Sequence, residues 1–412
     1  MQVIVVGGGV AGTTTAIALR RAGAEVTVYE AYADPAGRVG SFVSLATNGL
    51  KALRALGCER EVRAAGFDVA RQRLWSGTGR LLGDMPRGRL TSEPMRSVTL
   101  MRGRLVEVLR AKAIEAGARI VTGERLVDAT TTGDRVRAAF ASGLTAEADL
   151  LVGADGIWSA TRRALDPGAP EPAYAGIYTA SGVARGVDVE AGTFNMVFGR
   201  NGAFAYIGAP DGDVWWAAQV ASPAEPGDLE AVSLEALKGL YRREEVPAAL
   251  LEASTALDHS TLTHVLAEVA VWHDDRIVLV GDAGHPVGAG QGASMAIEDA
   301  VVLARSLEDA GGVPGGVPAA LAAYDRARRR RVAKMVRSAA SNRDAKTAGP
   351  VSRRARDLVM PVMTRLFYER ATTWLFTHDV AAGWEPGAAE TRTAGTGEAA
   401  GEAAGAGVRP LG

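Results

Sequence analysis

Cysteine is nearly missing. Cys58 is the one thiol in 412 residues, so no internal disulfide can form, and no CxxC pair or Cys/His cluster offers to hold a metal. Charge of one sign is not in excess: 46 Lys and Arg face 47 Asp and Glu, for a formal charge of −1. That balance points to no nucleic-acid or acidic partner. Long apolar runs are also lacking. The opening MQVIVVGGG carries no basic leader and is broken by glycine far short of the ~20 residues of a membrane span. No membrane partner is expected, and the cytoplasm is the simplest compartment. No internal repeat is apparent.

What is present is length and alternation. A chain of this size exceeds the ~250–300 residues of a single core, so two domains are expected. QVIVVGGGVAGTTTAIALRRAGAEVTVYE reads as strand, glycine turn, helix and strand. Helix–strand alternation runs on to about residue 168 and resumes with RIVLVGDAG at Arg276. Between them the text is strand-like, with one helix inserted at LEALKGLYRREEV; ARQRLWSGTGRLLGDM adds a hairpin around Gly77–Gly79. The expected fold class is α/β: a Rossmann-like nucleotide-binding domain from 1–70, 98–168 and 266–345, and a mostly antiparallel β-sheet domain from 71–97 and 169–265. C-terminal helices over 346–385 and a disordered Gly/Ala/Glu-rich tail over 386–412 complete it. The basic run Arg326–Arg331 reads as a solvated helix face.

Three glycine-rich stretches carry chemistry. Gly7, Gly9 and Gly12 spell GxGxxG between a strand and a helix, and Glu30 ends the next strand ~20 residues on. Such a turn brings a pyrophosphate onto backbone N–H groups at the positive end of a helix. Glu30 suits the two hydroxyls of an adenosine ribose and repels a 2′-phosphate, which favours FAD or NAD over NADP. The second stretch is GADGIWSATRR, where Ser159 has the position of a helix N-cap. The third is GDAGHPVGAGQGASM, between a buried strand and another helix.

Taken in this order, the three resemble the motifs of the FAD-dependent aromatic hydroxylases, the single-component (class A) flavoprotein monooxygenases with the p-hydroxybenzoate hydroxylase fold. The resemblance spans roughly residues 1–385. It implies FAD as cofactor, with Gly7, Gly9, Val10, Ala11, Gly12, Glu30 and Ala31 around its ADP part and Leu126 near adenine. Arg102 would reach the ribityl-phosphate region, and Asp155 and Gly156 belong to a motif linked to FAD and NAD(P)H. Asp282 would accept hydrogen bonds from the ribityl region, and Gly290, Gln291, Gly292 and Ala293 would present a helix N-terminus to the flavin ring. The implied reaction inserts one oxygen atom from O2 into an aromatic or polycyclic small molecule, by hydroxylation or epoxidation, through a flavin C4a-hydroperoxide, with NADH or NADPH as co-substrate. One departure stands out: between His285 and Gly290 the loop is about two residues shorter than the family pattern, and its single proline is Pro286.

No residue declares itself catalytic. His285 is a weak candidate, better read as orienting backbone near the cofactor. The sheet domain of such enzymes covers the flavin, and alternation leaves two faces to choose from. Asn195, Val197, Phe204 and Tyr206, together with Pro286, are the expected substrate contacts; Arg200 is the one arginine considered for a carboxylate. Cys58 reads as helix-end packing. A flavin-dependent halogenase, or a flavin protein without oxygenase turnover, remains an alternative. No WxW segment of the halogenase type occurs.

Overall fold

The structure is a computed structural model that describes residues 1–34, 41–258, 260–288, 290–346 and 349–384. The tail expected over 386–412 lies outside the described residues.

Val3, Ile4, Val5 and Val6 are all buried, as an apolar run needs when both sheet faces are covered. They sit in a five-stranded sheet ordered Ile277–Leu279, Leu150–Gly153, Gln2–Val6, Glu25–Glu30, Arg119–Thr122, with every neighbour pair parallel. The strand before each glycine-rich stretch is therefore adjacent to the next, and all three turns emerge at the same carboxyl edge. Ligands of open α/β sheets bind at that edge. The helices Val10–Arg21 and Gly292–Asp309 pack together behind it.

The second layer is a seven-stranded sheet. Its order is Thr261–Val265, Ala173–Ala184, Val214–Ala221, Gly202–Gly208, Thr193–Phe198, Arg71–Ser76, Leu81–Pro86. All neighbours are antiparallel except Thr193–Phe198 with Arg71–Ser76. The hairpin at Gly77–Gly79 joins the last two strands, with Ser76 N–H donating to the Arg80 carbonyl at 2.9 Å. Where one inserted helix was expected there are two, Leu234–Tyr241 and Glu245–Glu252. The Arg242–Glu244 segment breaks the run, and Glu244 turns inward to accept the Arg200 N–H at 2.9 Å.

Two long helices close the fold, Val317–Lys346 and Pro350–Phe376. The first corrects the solvated reading of the arginine run. Arg326 and Arg330 do face solvent, but Arg328 is 1% exposed and donates to Asp299 at 2.7 Å and Glu298 at 2.6 Å. Arg331 grips both Glu298 oxygens. Helical spacing puts residues 324, 328, 331 and 335 on one side, and that side is the core.

Candidate cofactor and substrate site

The first glycine turn divides its labour. Gly7 has φ +105°, and a Cβ there would lie 2.4 Å from the Ala154 carbonyl oxygen. A Cβ on Gly12 would lie 1.8 Å from the Gly7 oxygen. The fold itself demands these two glycines. Gly9 is different: its φ is −78° and nothing stands within 4 Å of a Cβ placed on it. Neither backbone nor packing requires glycine there, and the open space beside it leaves room for a ligand against the helix N-terminus. Gly9 is the N-cap of Val10–Arg21, with no side-chain cap and no acid in the first turn, so its leading N–H groups stay free for an anion. Glu30 is buried nearby, accepting the Gly8 N–H at 2.6 Å and the Tyr32 N–H at 2.8 Å. Each of its oxygens keeps a second lone pair for a ligand hydroxyl. Ala31 follows it in the loop. Leu126 is buried at the start of a three-stranded sheet beside this strand.

The second stretch is a latch. Asp155 accepts hydrogen bonds from Ser159 Oγ, Thr161 N and Thr161 Oγ1 at 2.6–3.1 Å, and Ser159 caps the helix Ala160–Leu165 by accepting the Arg162 N–H. Gly156 turns the chain at φ +75°. Arg162, fully buried, donates to the Ile157 and Ala283 carbonyls at 2.7 and 2.9 Å, and burial pulls its pKa down.

The third stretch meets the first. Gly281 (φ +58°) is wedged so that a Cβ would come 2.9 Å from the Ala11 methyl and 3.2 Å from that of Ala296. Asp282 is exposed, but to the cleft: the surrounding protein mass raises its carboxyl pKa against the opposing pull of His285 and Arg102. Arg102, first residue of the helix Arg102–Glu115, is exposed in the same cleft. Gly288 (φ +52°) and Gly290 (φ +84°) steer the chain into Gly292–Asp309, whose N-cap Gln291 makes no side-chain cap and whose first turn has no acid. The Gln291 Oε1 atom is buried without a partner. A Cβ on Gly292 would lie 3.6 Å from Asp282 Oδ1, so Asp282, Gly292 and Ala293 border one space. Two helix N-termini thus open at one sheet edge. The cradle fits a dinucleotide with phosphates at one end and an electron-rich ring at the other.

His285 points elsewhere. Its Nε2 donates to Asp299 Oδ2 at 2.7 Å, and the same oxygen accepts the Gly281 N–H at 2.8 Å. Asp299 in turn is held by Arg328, and the two carboxylates Asp299 and Glu298 stay below the usual range despite burial, through the charges of His285, Arg328 and Arg331. His285 and Pro286 line a separate cavity of about 150 Å³ with Trp272 and Arg329. Pro286 is therefore not among the residues lining the larger cavity.

That cavity, about 640 Å³, lies between the Gln291 turn, the hairpin strands and the helix Pro350–Phe376. Gln72, Leu74 and Met85 face it. By register they share a sheet face with Phe194, Met196, Ala205 and Ile207. Asn195, Val197, Phe204 and Tyr206 occupy the opposite face. Val197, Phe204 and Tyr206 pack in a core with Trp216, Leu237 and Tyr241 under the two inserted helices, and Asn195 accepts from Trp75 Nε1 at 2.9 Å. The expected substrate contacts on this sheet therefore lie one position of alternation away from the face that lines the cavity, because aromatic residues at 204 and 206 pack in the helix-covered core.

Arg87 is the residue that the sequence left unannounced. Its guanidinium lies 3.6 Å over the Phe194 ring and donates to Gln72 Oε1, inside the cavity. Among the described residues no carboxylate pairs with it. Burial lowers its pKa to about 10, with Tyr368 opposing. Burial and then the Arg87 charge hold Lys346 down at about 8. Arg200, the arginine considered beforehand, is not among the residues lining this cavity. Cys58 is buried with its thiol raised to about 11 by burial, as packing requires.

The family described as FAD binding domain matches residues 1–339. The aurachin C monooxygenase/isomerase of Stigmatella aurantiaca is 32% identical over 340 residues, covering 80% of this chain and 85% of that protein. The 6-hydroxynicotinate 3-monooxygenase of Bordetella bronchiseptica is 30% identical over 333 residues, covering 75% and 83%. Among solved structures, CtdE in complex with FAD and substrate superposes with a TM-score of 0.79 at 21% identity, over 96% of this chain and 99% of that one; this similarity speaks for the fold. The chain belongs to the FAD binding domain family and is an FAD-dependent monooxygenase.

Proposed function

We propose that the protein uses NADH or NADPH and O2 to insert one oxygen atom into an aromatic small molecule that carries an anionic oxygen, a carboxylate, phenolate or enolate. The observation that carries this reading is Arg87, a cation without a carboxylate partner inside the cavity that abuts the Gln291 turn. An unneutralised charge in such a place costs stability until a ligand compensates it. Phe194 beneath it, with Leu74 and Met85, offers an apolar wall for a flat ring. The two relatives act, by their names, on aurachin C and 6-hydroxynicotinate, and a substrate with an acidic oxygen suits the guanidinium.

In this reading Gly9 and the N–H groups of Val10 and Ala11 bind the pyrophosphate, Glu30 and Ala31 the ribose, and Leu126 borders adenine. Arg102 and Asp282 hold the linking chain. Gln291, Gly292 and Ala293, with Gly290 providing the turn, present N–H groups to the electron-rich edge of the ring. Bound there, FAD supplies the redox chemistry that joins nicotinamide oxidation to oxygen transfer. The protein orients the substrate through Arg87 and excludes water with the helix Pro350–Phe376. Asp155 and Gly156 keep the latch that fixes the Asp282 loop. NAD(P)H has no strand–GxGxxG–helix of its own and docks transiently. The lone buried thiol agrees with a reducing cytoplasm.

The test is oxygen uptake by the FAD-loaded enzyme with matched aromatic acids and amides, product mass being measured. The acids stimulate NAD(P)H-coupled uptake and gain one oxygen, and Arg87→Gln raises their KM about ten- to a hundredfold. Equal turnover of the amides, or an unchanged KM in Arg87→Gln, overturns the substrate class.

A further inference from the structure

Helix Pro350–Phe376 is laid on the sheet by the side that carries Thr364 and Tyr368: Thr364 Oγ1 donates to the Leu82 carbonyl at 3.1 Å and the Tyr368 hydroxyl to that of Pro86 at 2.8 Å. The opposite side is mostly apolar and uncovered, broken near its end by the exposed Glu369, whose carboxylate accepts the Thr91 N–H at 2.8 Å. Val351 is 81% exposed, Leu358 68%, Val362 53% and Leu366 64%, and this spacing lines them up along one face. A contiguous apolar stripe of this kind marks an interaction surface.

We propose that this outer face docks on an anionic lipid surface, and that the cavity draws from it an aromatic substrate bearing a lipophilic substituent. The second half rests on the cavity being the substrate site. Three occupants compete for the stripe. The chain's own segment from Glu385 to Gly412 contains one valine, one leucine and no aromatic residue, too little to cover it. A second copy of the chain brings the same charges: Arg354, Arg365 and Arg370 flank the stripe, all exposed and unpaired by any carboxylate among the described residues. Apposing two such faces sets three guanidiniums against three, with Glu369, already engaged by the Thr91 N–H, as the carboxylate set among them. An anionic bilayer satisfies both features, because leucines enter the headgroup boundary while arginines meet lipid phosphates.

The stripe is also continuous with the cavity. Val359, Met363 and Phe367, one helical step round from Leu358, Val362 and Leu366, are exposed and line the cavity mouth. An acidic aromatic head at Arg87 would leave an apolar substituent lying along Met363 and Phe367 toward the docked face. No helix among the described residues is long and apolar enough to cross a membrane. Surface docking needs no such helix, and it revises the expectation of no membrane partner.

The test is flotation of the FAD-loaded, full-length protein with vesicles of phosphatidylcholine alone or mixed with phosphatidylglycerol. The protein floats with the mixed vesicles, and raised salt weakens this. Leu358→Ser with Leu366→Ser cuts the bound fraction about tenfold or more while FAD content holds; Arg354→Gln with Arg365→Gln removes the preference for the anionic lipid. Absence of flotation overturns the proposal, as does flotation that neither pair of changes affects. A dimer in sedimentation velocity that the leucine pair dissociates assigns the face to a second copy and overturns it as well. Oxygen uptake with a water-soluble aromatic acid, run on the same sample, reports on the cavity independently of vesicle binding.

Discussion

Arg162 and Ala283 lie 121 residues apart in sequence, yet the guanidinium donates to the carbonyl at 2.9 Å in a fully buried setting. The bond ties the Asp155 turn to the Asp282 loop, so two of the three glycine-rich turns at the carboxyl edge are held to each other. Arg162→Met leaves the Ile157 and Ala283 carbonyls unpaired and costs about 2–4 kcal/mol of stability. FAD retention on dilution, followed by flavin fluorescence, falls with it. A variant that unfolds and retains FAD like the parent would refute the latch.

The glycines of the first turn separate by cause. Gly12→Ala places a methyl where the Gly7 oxygen stands, at 1.8 Å, and yields little folded protein. Gly9→Ala meets nothing, so its melting temperature without cofactor stays within a few degrees while FAD affinity drops about tenfold or more. Calorimetry of the apoprotein and a flavin titration measure the two halves. Equal loss of fold in both variants is the contrary outcome.

The two sheet faces give a third contrast. Phe204 is fully buried, stacked 5.4 Å from Trp216 and edge-on to Tyr241. Phe204→Ala therefore costs about 3–5 kcal/mol, read by denaturant midpoint. Phe194→Ala removes the ring beneath Arg87 and raises KM for an aromatic acid more than it lowers kcat. If Phe204→Ala instead shifts KM in a protein of unchanged stability, the assignment of faces is wrong.

Acid reports on the buried ion cluster. Glu298 and Asp299 have folded pKa values below their ordinary ones, Arg328 and its neighbours outweighing burial. Groups depressed by folding stabilise above their unfolded pKa, about 4, and that contribution is lost as pH falls through the folded values. The parent therefore loses stability steeply below about pH 4. Glu298→Gln flattens the slope in that window while lowering stability at neutral pH, where Arg328 and Arg331 lose a countercharge. Stability curves from pH 3 to pH 7 check both signs.

The glycine motifs were legible because their chemistry is local. A GxGxxG between strand and helix has one geometry wherever it occurs, and Gly7, Gly9 and Gly12 take it up. The choice of sheet face was not, since alternation gives two equivalent faces until distant helices at 234–252 cover one. The arginine run carried a signal that charge counting obscured: Leu321, Tyr324, Arg328 and Met335 recur at helical spacing, and the helix opposite holds Glu298 and Asp299 amid apolar residues. Acids in the middle of an apolar helix ask for buried partners. Arg87 gave no local sign. It becomes conspicuous only when Phe194, more than a hundred residues later, is set beneath it.

The sheet order has a consequence for synthesis. Gln2–Val6 pairs with Leu150–Gly153, which pairs with Ile277–Leu279, and the Gly281 wedge touches Ala11. On the ribosome the first glycine turn emerges early but meets the Gly281 wedge only when about two thirds of these 412 residues have been made. Translation at ~5–20 residues per second leaves the nascent N-terminal unit waiting many seconds with an open sheet edge. If both turns hold the flavin, its loading is a late event, and a nascent chain stalled before residue 277 should neither bind FAD nor resist protease.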